Sequence, residues 1–182
     1  MHGPIYNAAA DLIERNLAAG RGAKTAFIDD AGRCSFGELA DRAGRFANLL
    51  RRMGVQREQR ILLCLHDGID FPSAFLGAIK AGIVPVAVNT QLGAGDFAFI
   101  LADSRARAVV VSAPVLPAMT AAVATLPQPR PEIIVSGELP GAPSLAARLA
   151  ELPAVAETAP THPGRPNTPI GPRLSAPSIG GS

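Results

Sequence analysis

Apolar positions recur along this chain with two different periods, and the alternation between them lays out the predicted elements. Leu39, Ala43, Phe46, Leu50 and Met53 fall at spacings of four, three, four and three, which puts them on one face of a helix. Ser35 and Glu38 stand just ahead of that face as Ser-x-x-Glu, a capping box in which each side chain satisfies a free N–H of the other. Gly54 ends the helix. Asn7 is placed to cap an earlier helix whose apolar face is Ala9, Leu12, Ile13 and Leu17, stopped by Gly20. Between the two, Ala26-Phe27-Ile28 reads as a short strand, with Asp30-Ala31-Gly32 as a turn into Arg33-Cys34.

Further along, the period disappears because nearly every position is apolar. The runs at 61–65, 84–88, 108–112 and 132–136 read as four buried strands whose starts lie about 24 residues apart. Helical segments are predicted at 70–81, 96–102, 114–126 and 144–151, with Asp96 as the cap of the second. Continuous apolar strands alternating with helices predict an α/β fold: a mostly parallel sheet with helices on both faces. The units share no self-similarity, so the rhythm is not a sequence repeat.

Composition narrows the classes. At 182 residues, one domain is the natural prior, long enough to bury a real core. A hydrophobic content of 48% with 18% charged residues argues against disorder over most of the chain. The net charge of +2 gives no electrostatic case for nucleic acid or an anionic membrane. Arg42, Arg45, Arg51, Arg52, Arg57 and Arg60 form a locally basic run without stacking aromatics, which reads as a solvated helix face; Glu38–Arg42 and Asp41–Arg45 are spaced to pair. The uncharged stretch 108–127 contains Pro114 and Pro117 and reads as a strand and a small-residue helix, not a membrane span. No basic-then-apolar signal segment opens the chain. Cys34 and Cys64 form no Cys-x-x-Cys pair and read as reduced thiols of a cytoplasmic protein.

Candidate chemistry is sparse. Gly20-Arg21-Gly22-Ala23-Lys24-Thr25 has the wrong spacing for a phosphate loop and precedes a strand, so it reads as a connector. His66-Asp67-Gly68 follows the first of the four strands, at the carboxyl end where open α/β sheets bind ligands. It reads as a turn, because no nucleophile completes a hydrolase triad beside it.

A family resemblance rests on an ordered series of motifs. Ser35-Phe36-Gly37-Glu38-Leu39 resembles the first core motif of adenylate-forming (AMP-binding) enzymes, with Phe36 where Tyr is commoner. Ala78-Ile79-Lys80-Ala81-Gly82-Ile83-Val84-Pro85-Val86 resembles the second. Thr25 to Asp30, Val88-Asn89-Thr90 and Asp103 to Ser112 are similar to the benzoate/4-hydroxybenzoate–CoA ligase branch. Gly93-Ala94-Gly95 departs from the usual Thr/Ser/Pro-rich helix start. The resemblance implies that residues 1–160 are the incomplete N-terminal portion of an AMP-binding domain. It implies a full-length enzyme that joins an aromatic carboxylic acid to coenzyme A, using ATP and Mg²⁺ and releasing AMP and pyrophosphate.

The family's catalytic parts are expected downstream and are missing here. Only two lysines are present, Lys24 and Lys80, and Glu157 is the last acidic residue. No Ser/Thr/Gly-rich loop ending in Lys appears. No catalytic, cofactor-binding or metal-binding residue is therefore assigned, and the chain alone is expected to be inactive. Residues 161–182 are expected to be a low-complexity disordered tail: from Pro163 on there are five prolines, four glycines and three serines among twenty residues, and no acid. Three origins fit such a composition: an alternative reading frame entered near residue 163, which is the one expected, a natural low-complexity tail, or a different exon or gene boundary. Two further readings stay open: a stand-alone α/β binding or interaction module, and a flavodoxin-like nucleotide binder, for which His66 to Asp70 makes a poor loop. As an isolated piece of a larger domain, the chain is expected to expose apolar surface and to self-associate.

Overall fold

A computed structural model of the chain describes residues 6–30 and 32–160. The tail predicted for 161–182, and Ala31 of the predicted turn, lie outside the described residues. Helix α1 (Ala8–Ala18) and a hairpin of β1 (Thr25–Asp29) and β2 (Gly32–Ser35) lead into the long helix α2 (Phe36–Arg52). There follow β3 (Arg60–Cys64), α3 (Asp70–Lys80), β4 (Val84–Ala87), α4 (Ala94–Ser104), β5 (Ala108–Ser112), α5 (Leu116–Ala124), β6 (Glu132–Ser136) and α6 (Leu145–Ala150). A 3₁₀ turn at Ala113–Val115, where Pro114 interrupts the backbone donors, separates β5 from α5. Strands β3 to β6 form one parallel sheet, as predicted, and their order is β4-β3-β5-β6.

Helices cover both faces of the sheet, which explains why its strands carry no polar alternation. Ile61, Leu63, Val110 and Ile134 point to a core closed by α2, α3 and α6. Leu62, Cys64, Val109 and Val111 point to the opposite core, closed by α4 and α5. Each fully buried Leu or Ile contributes about 1.5–3 kcal/mol of transfer free energy. Within the first core, α2 and α3 approach closely at Gly77. A Cβ there would lie 2.7 Å from the Ala43 carbonyl oxygen and 2.8 Å from Phe46 Cβ.

Four local readings are corrected. Leu12 and Leu17 are exposed, because α1 packs through Ala9, Ala10 and Ile13. The two outer strands are not buried like β3 and β5: in β4 Val84 is 46% exposed and Ala87 is exposed, and in β6 Glu132 is exposed, because β4 and β6 are the sheet edges. Helix α4 begins at Ala94, before the expected cap. Gly93 is its N-cap, and Asp96, three residues on, accepts the Gly93 N–H at 3.2 Å. The arginines of α2 do not make the expected pairs. Arg42 turns to Asp70 and Ser73 on α3, and Arg45 turns to the carbonyls of Leu149, Ala150 and Leu152.

The capping box is formed as predicted. Ser35 Oγ accepts the Glu38 N–H at 3.2 Å, and the Glu38 carboxylate accepts the Ser35 N–H at 2.8 Å. Asn7 caps α1, accepting from the N–H groups of Ala9 and Ala10.

Candidate functional site

At the carboxyl ends of the parallel strands the chain leaves in opposite directions. From β3 it passes into α3 on one face; from the neighbouring β5 it passes into α5 on the other. Such a switch point opens a crevice where α/β sheets take ligands. Beside it, between the loops that follow β3 and β4, lies a cavity of about 590 Å³. Leu65, Phe71 and Val88 give it apolar walls, and His66, Asp67, Asn89 and Thr90 give it polar groups.

The loops are fixed by bonds across the sheet. Ser112, at the end of β5, accepts the His66 N–H on its hydroxyl oxygen at 2.9 Å. The Asn89 side chain folds back to accept the Gln91 N–H at 2.9 Å, an Asx turn. The start of α3 is held from three sides. The Asp70 carboxylate accepts from Arg42 of α2 and, at 2.6 Å, from the Ser136 hydroxyl of β6. One residue earlier, the Ile69 N–H donates to Asp29 at 2.8 Å, and Asp29 also accepts the Gly32 N–H at 3.1 Å. The hairpin is thereby tied to the crevice loop.

His66 and Asp67 do face one cavity, as their position after β3 suggested, but no serine or cysteine nucleophile lines it. Ser112, Asn89 and Thr90 were not singled out as site residues by sequence. Their signals were position, at or just after the ends of apolar strands, and membership of the segments 88–90 and 103–112 that carry the family resemblance. Cys64 ends β3 one step inside the crevice, and burial pushes its thiol up to about 11. Cys34 is also a free, buried thiol; burial raises it and nearby Arg42 opposes part of that rise. Neither is poised as a nucleophile.

The crevice can receive an apolar ligand with a polar end. It does not fit a nucleotide–metal complex. Among the described residues Asp67 is the one carboxylate that lines the cavity, and no group of three His, Cys, Asp or Glu could hold a metal ion. Lys80 lies at the far end of α3, at the opposite end of the sheet, 3.9 Å from Glu14. Lys24 lies in the connector between α1 and β1. Among the described residues no helix is long and apolar enough to cross a membrane.

Comparison with known proteins adds family to this geometry. The profile of the family described as "AMP-binding enzyme" matches residues 14–170. A benzoate–CoA ligase of Thauera aromatica is 48% identical over 159 residues, covering 87% of this chain and 30% of its own length. A 4-hydroxybenzoate–CoA/benzoate–CoA ligase of Rhodopseudomonas palustris is 50% identical over 140 residues, covering 77% of this chain and 26% of its own. The solved benzoate–CoA ligase of Burkholderia xenovorans superposes with a TM-score of 0.79 at 40% identity, over 87% of this chain and 31% of that one. The chain thus spans about 30% of the length of the relatives it matches.

Proposed function

The chain belongs to the AMP-binding enzyme family, and from that premise we propose that it is the N-terminal scaffold of an aryl–CoA ligase. The reaction is the ATP-dependent joining of an aromatic carboxylic acid, benzoate or a hydroxybenzoate, to coenzyme A in the cytoplasm. The observation that carries this reading is identity of 48–50% to two ligases named for benzoate, on a sheet whose topology is intact.

In this reading the chain supplies architecture and not chemistry. Its two-core sheet holds the crevice loops in place, while the residues that handle ATP and Mg²⁺ belong to the segments it does not share with its relatives. Phosphates need backbone N–H groups of a glycine-rich loop and a nearby lysine. Mg²⁺ needs carboxylates. The crevice offers neither arrangement, so no step of adenylation is assigned to any residue here, and the chain alone is inactive.

A chimera tests the reading. Residues 1–155 of this chain replace the matching segment of the Thauera aromatica ligase, and benzoyl-CoA formation is followed by chromatography. Turnover with benzoate or 4-hydroxybenzoate supports the proposal. A folded chimera that activates only aliphatic acids, or none, counts against it.

A further inference from the structure

After α6 the chain does not stop at the surface but runs as an extended strap, residues 152–160, across α2 to the far end of α3. Leu152 is buried in the first core with Ala156 packed against it, and Ala159 is buried at the far end; between these anchors the strap is held through its main chain. Arg45 donates to the Leu152 carbonyl, Asn48 Nδ2 to the carbonyls of Pro153 and Val155 at 2.9 Å each, Arg51 to that of Glu157, and Arg57 to that of Pro160. Half of the basic run read as a solvated face, Arg45, Arg51 and Arg57, is thus a row of donors for the strap. Close approach is possible because residue 44 is glycine. A Cβ there would lie 1.7 Å from the Ala154 carbonyl oxygen, well inside contact distance.

The far end of the strap meets α1 at a single side chain. Asn7 is only 5% exposed. Its oxygen accepts from Ala9 N–H at 3.1 Å and Ala10 N–H at 3.2 Å, capping α1. Its nitrogen donates to Ile79 O of α3 at 2.8 Å and to Ala159 O of the strap at 3.0 Å. The Ala159 N–H completes the junction by donating to Lys80 O at 2.8 Å. Four polar groups, from α1, α3 and the strap, are satisfied by one buried amide. Freeing the strap leaves one donor of that amide unpaired in a buried site, which penalises the partners that remain.

We propose that Asn7 locks the strap and α1 into one cooperative unit on α3, so that neither element opens without loosening the other. The lock also holds Pro160 beside Val84 and Pro85 of the β4 edge. Besides Asn7 and Gly44, the lock draws on Leu152 and Ala159, the buried side chains of the strap.

Hydrogen–deuterium exchange of the full chain, read by peptide mass spectrometry, tests the lock with two variants. Gly44→Ala expels the strap at Ala154 without touching α1, and it does not weaken α2, since Ala is the better helix former. Exchange should rise roughly tenfold in both 153–160 and 8–18, while β3 and β5 stay protected, as expected of a local unit. Asn7→Ser keeps an N-cap acceptor but removes the amide donor. Exchange at Ala159 should rise similarly, with the first turn of α1 less affected. If Gly44→Ala frees the strap and leaves α1 at its wild-type rate, the coupling is refuted. If it leaves the strap unchanged, or raises exchange equally in β3 and β5, there is no separable locked unit and the proposal fails. If Asn7→Ser changes neither segment, Asn7 is not the lock.

Discussion

The same substitution, glycine to alanine, should have opposite signs at two helical positions of this chain. At Gly77 in α3, a Cβ would meet Ala43 O at 2.7 Å, Phe46 Cβ at 2.8 Å and Phe46 Cδ1 at 3.0 Å. Two of those atoms belong to the α2 backbone or are bonded directly to it, so rotamer changes cannot relieve the contact. The helices must separate by about half an ångström, and α2 and α3 are the shared roof of the first core. Overpacking of this kind costs roughly 1–3 kcal/mol, offset by at most about 1 kcal/mol of improved helix propensity. At Gly95, near the start of α4, the new Cβ meets nothing within 4 Å. Gly95→Ala should therefore stabilise by about 0.4–1 kcal/mol through the unfolded chain. Urea unfolding followed by circular dichroism at 222 nm measures both. The expected result is a lower midpoint for Gly77→Ala and a slightly higher one for Gly95→Ala. Equal shifts, or a Gly77→Ala variant as stable as the parent, would refute the close approach of α2 and α3.

Three other predictions follow from named groups. Hydrogen bonds from Ser35 hold the Glu38 carboxyl below its usual range, so its cap is fully present above the unfolded value of about 4.3 and is lost as pH falls through the lower folded value. The stability difference between the parent and Glu38→Gln should accordingly narrow as pH drops below about 4; a gap independent of pH in that range contradicts it. Cys34 and Cys64 are buried with raised thiols, so Ellman's reagent at pH 8 should label both only as fast as the chain opens. One thiol reacting immediately in the native protein would rule that out. The isolated chain should bind an apolar dye and self-associate in sedimentation velocity, because Val84, Phe99 and Ile28 are 46%, 73% and 67% exposed. A monomer with a sharp reversible melt and no dye binding would favour a stand-alone binding module.

Legibility in the sequence followed locality. The Ser35–Glu38 capping box, the α2 stripe from Leu39 to Leu50 and the buried strand at 108–112 depend on neighbouring residues, and they stand as read. What failed depended on partners distant in the chain. Leu12 and Leu17 look like a helix face, yet the small residues Ala9 and Ala10 make the contact. Val84 to Ala87 are as apolar as the central strands, and only the strand order leaves them at an edge. Arg45 and Arg51 carry no sign that their targets are main-chain carbonyls about 105 residues away. The crevice was half legible: His66 was marked by its place after a strand, but Ser112 reaches its N–H from 46 positions off. Lysine content and a phosphate loop are read directly from the sequence, so the presence of only Lys24 and Lys80 and the want of a loop motif were plain without a fold.

If the chain is, as proposed, the scaffold of an aryl–CoA ligase without the groups that handle ATP and Mg²⁺, it cannot adenylate benzoate. Benzoate-dependent exchange of labelled pyrophosphate into ATP, with Mg²⁺ present, reads the adenylation half-reaction directly and needs no coenzyme A. The purified chain should give no exchange above a blank without enzyme, while a full-length benzoate–CoA ligase in the same assay does. Exchange that depends on benzoate and scales with the concentration of this chain would contradict the claim.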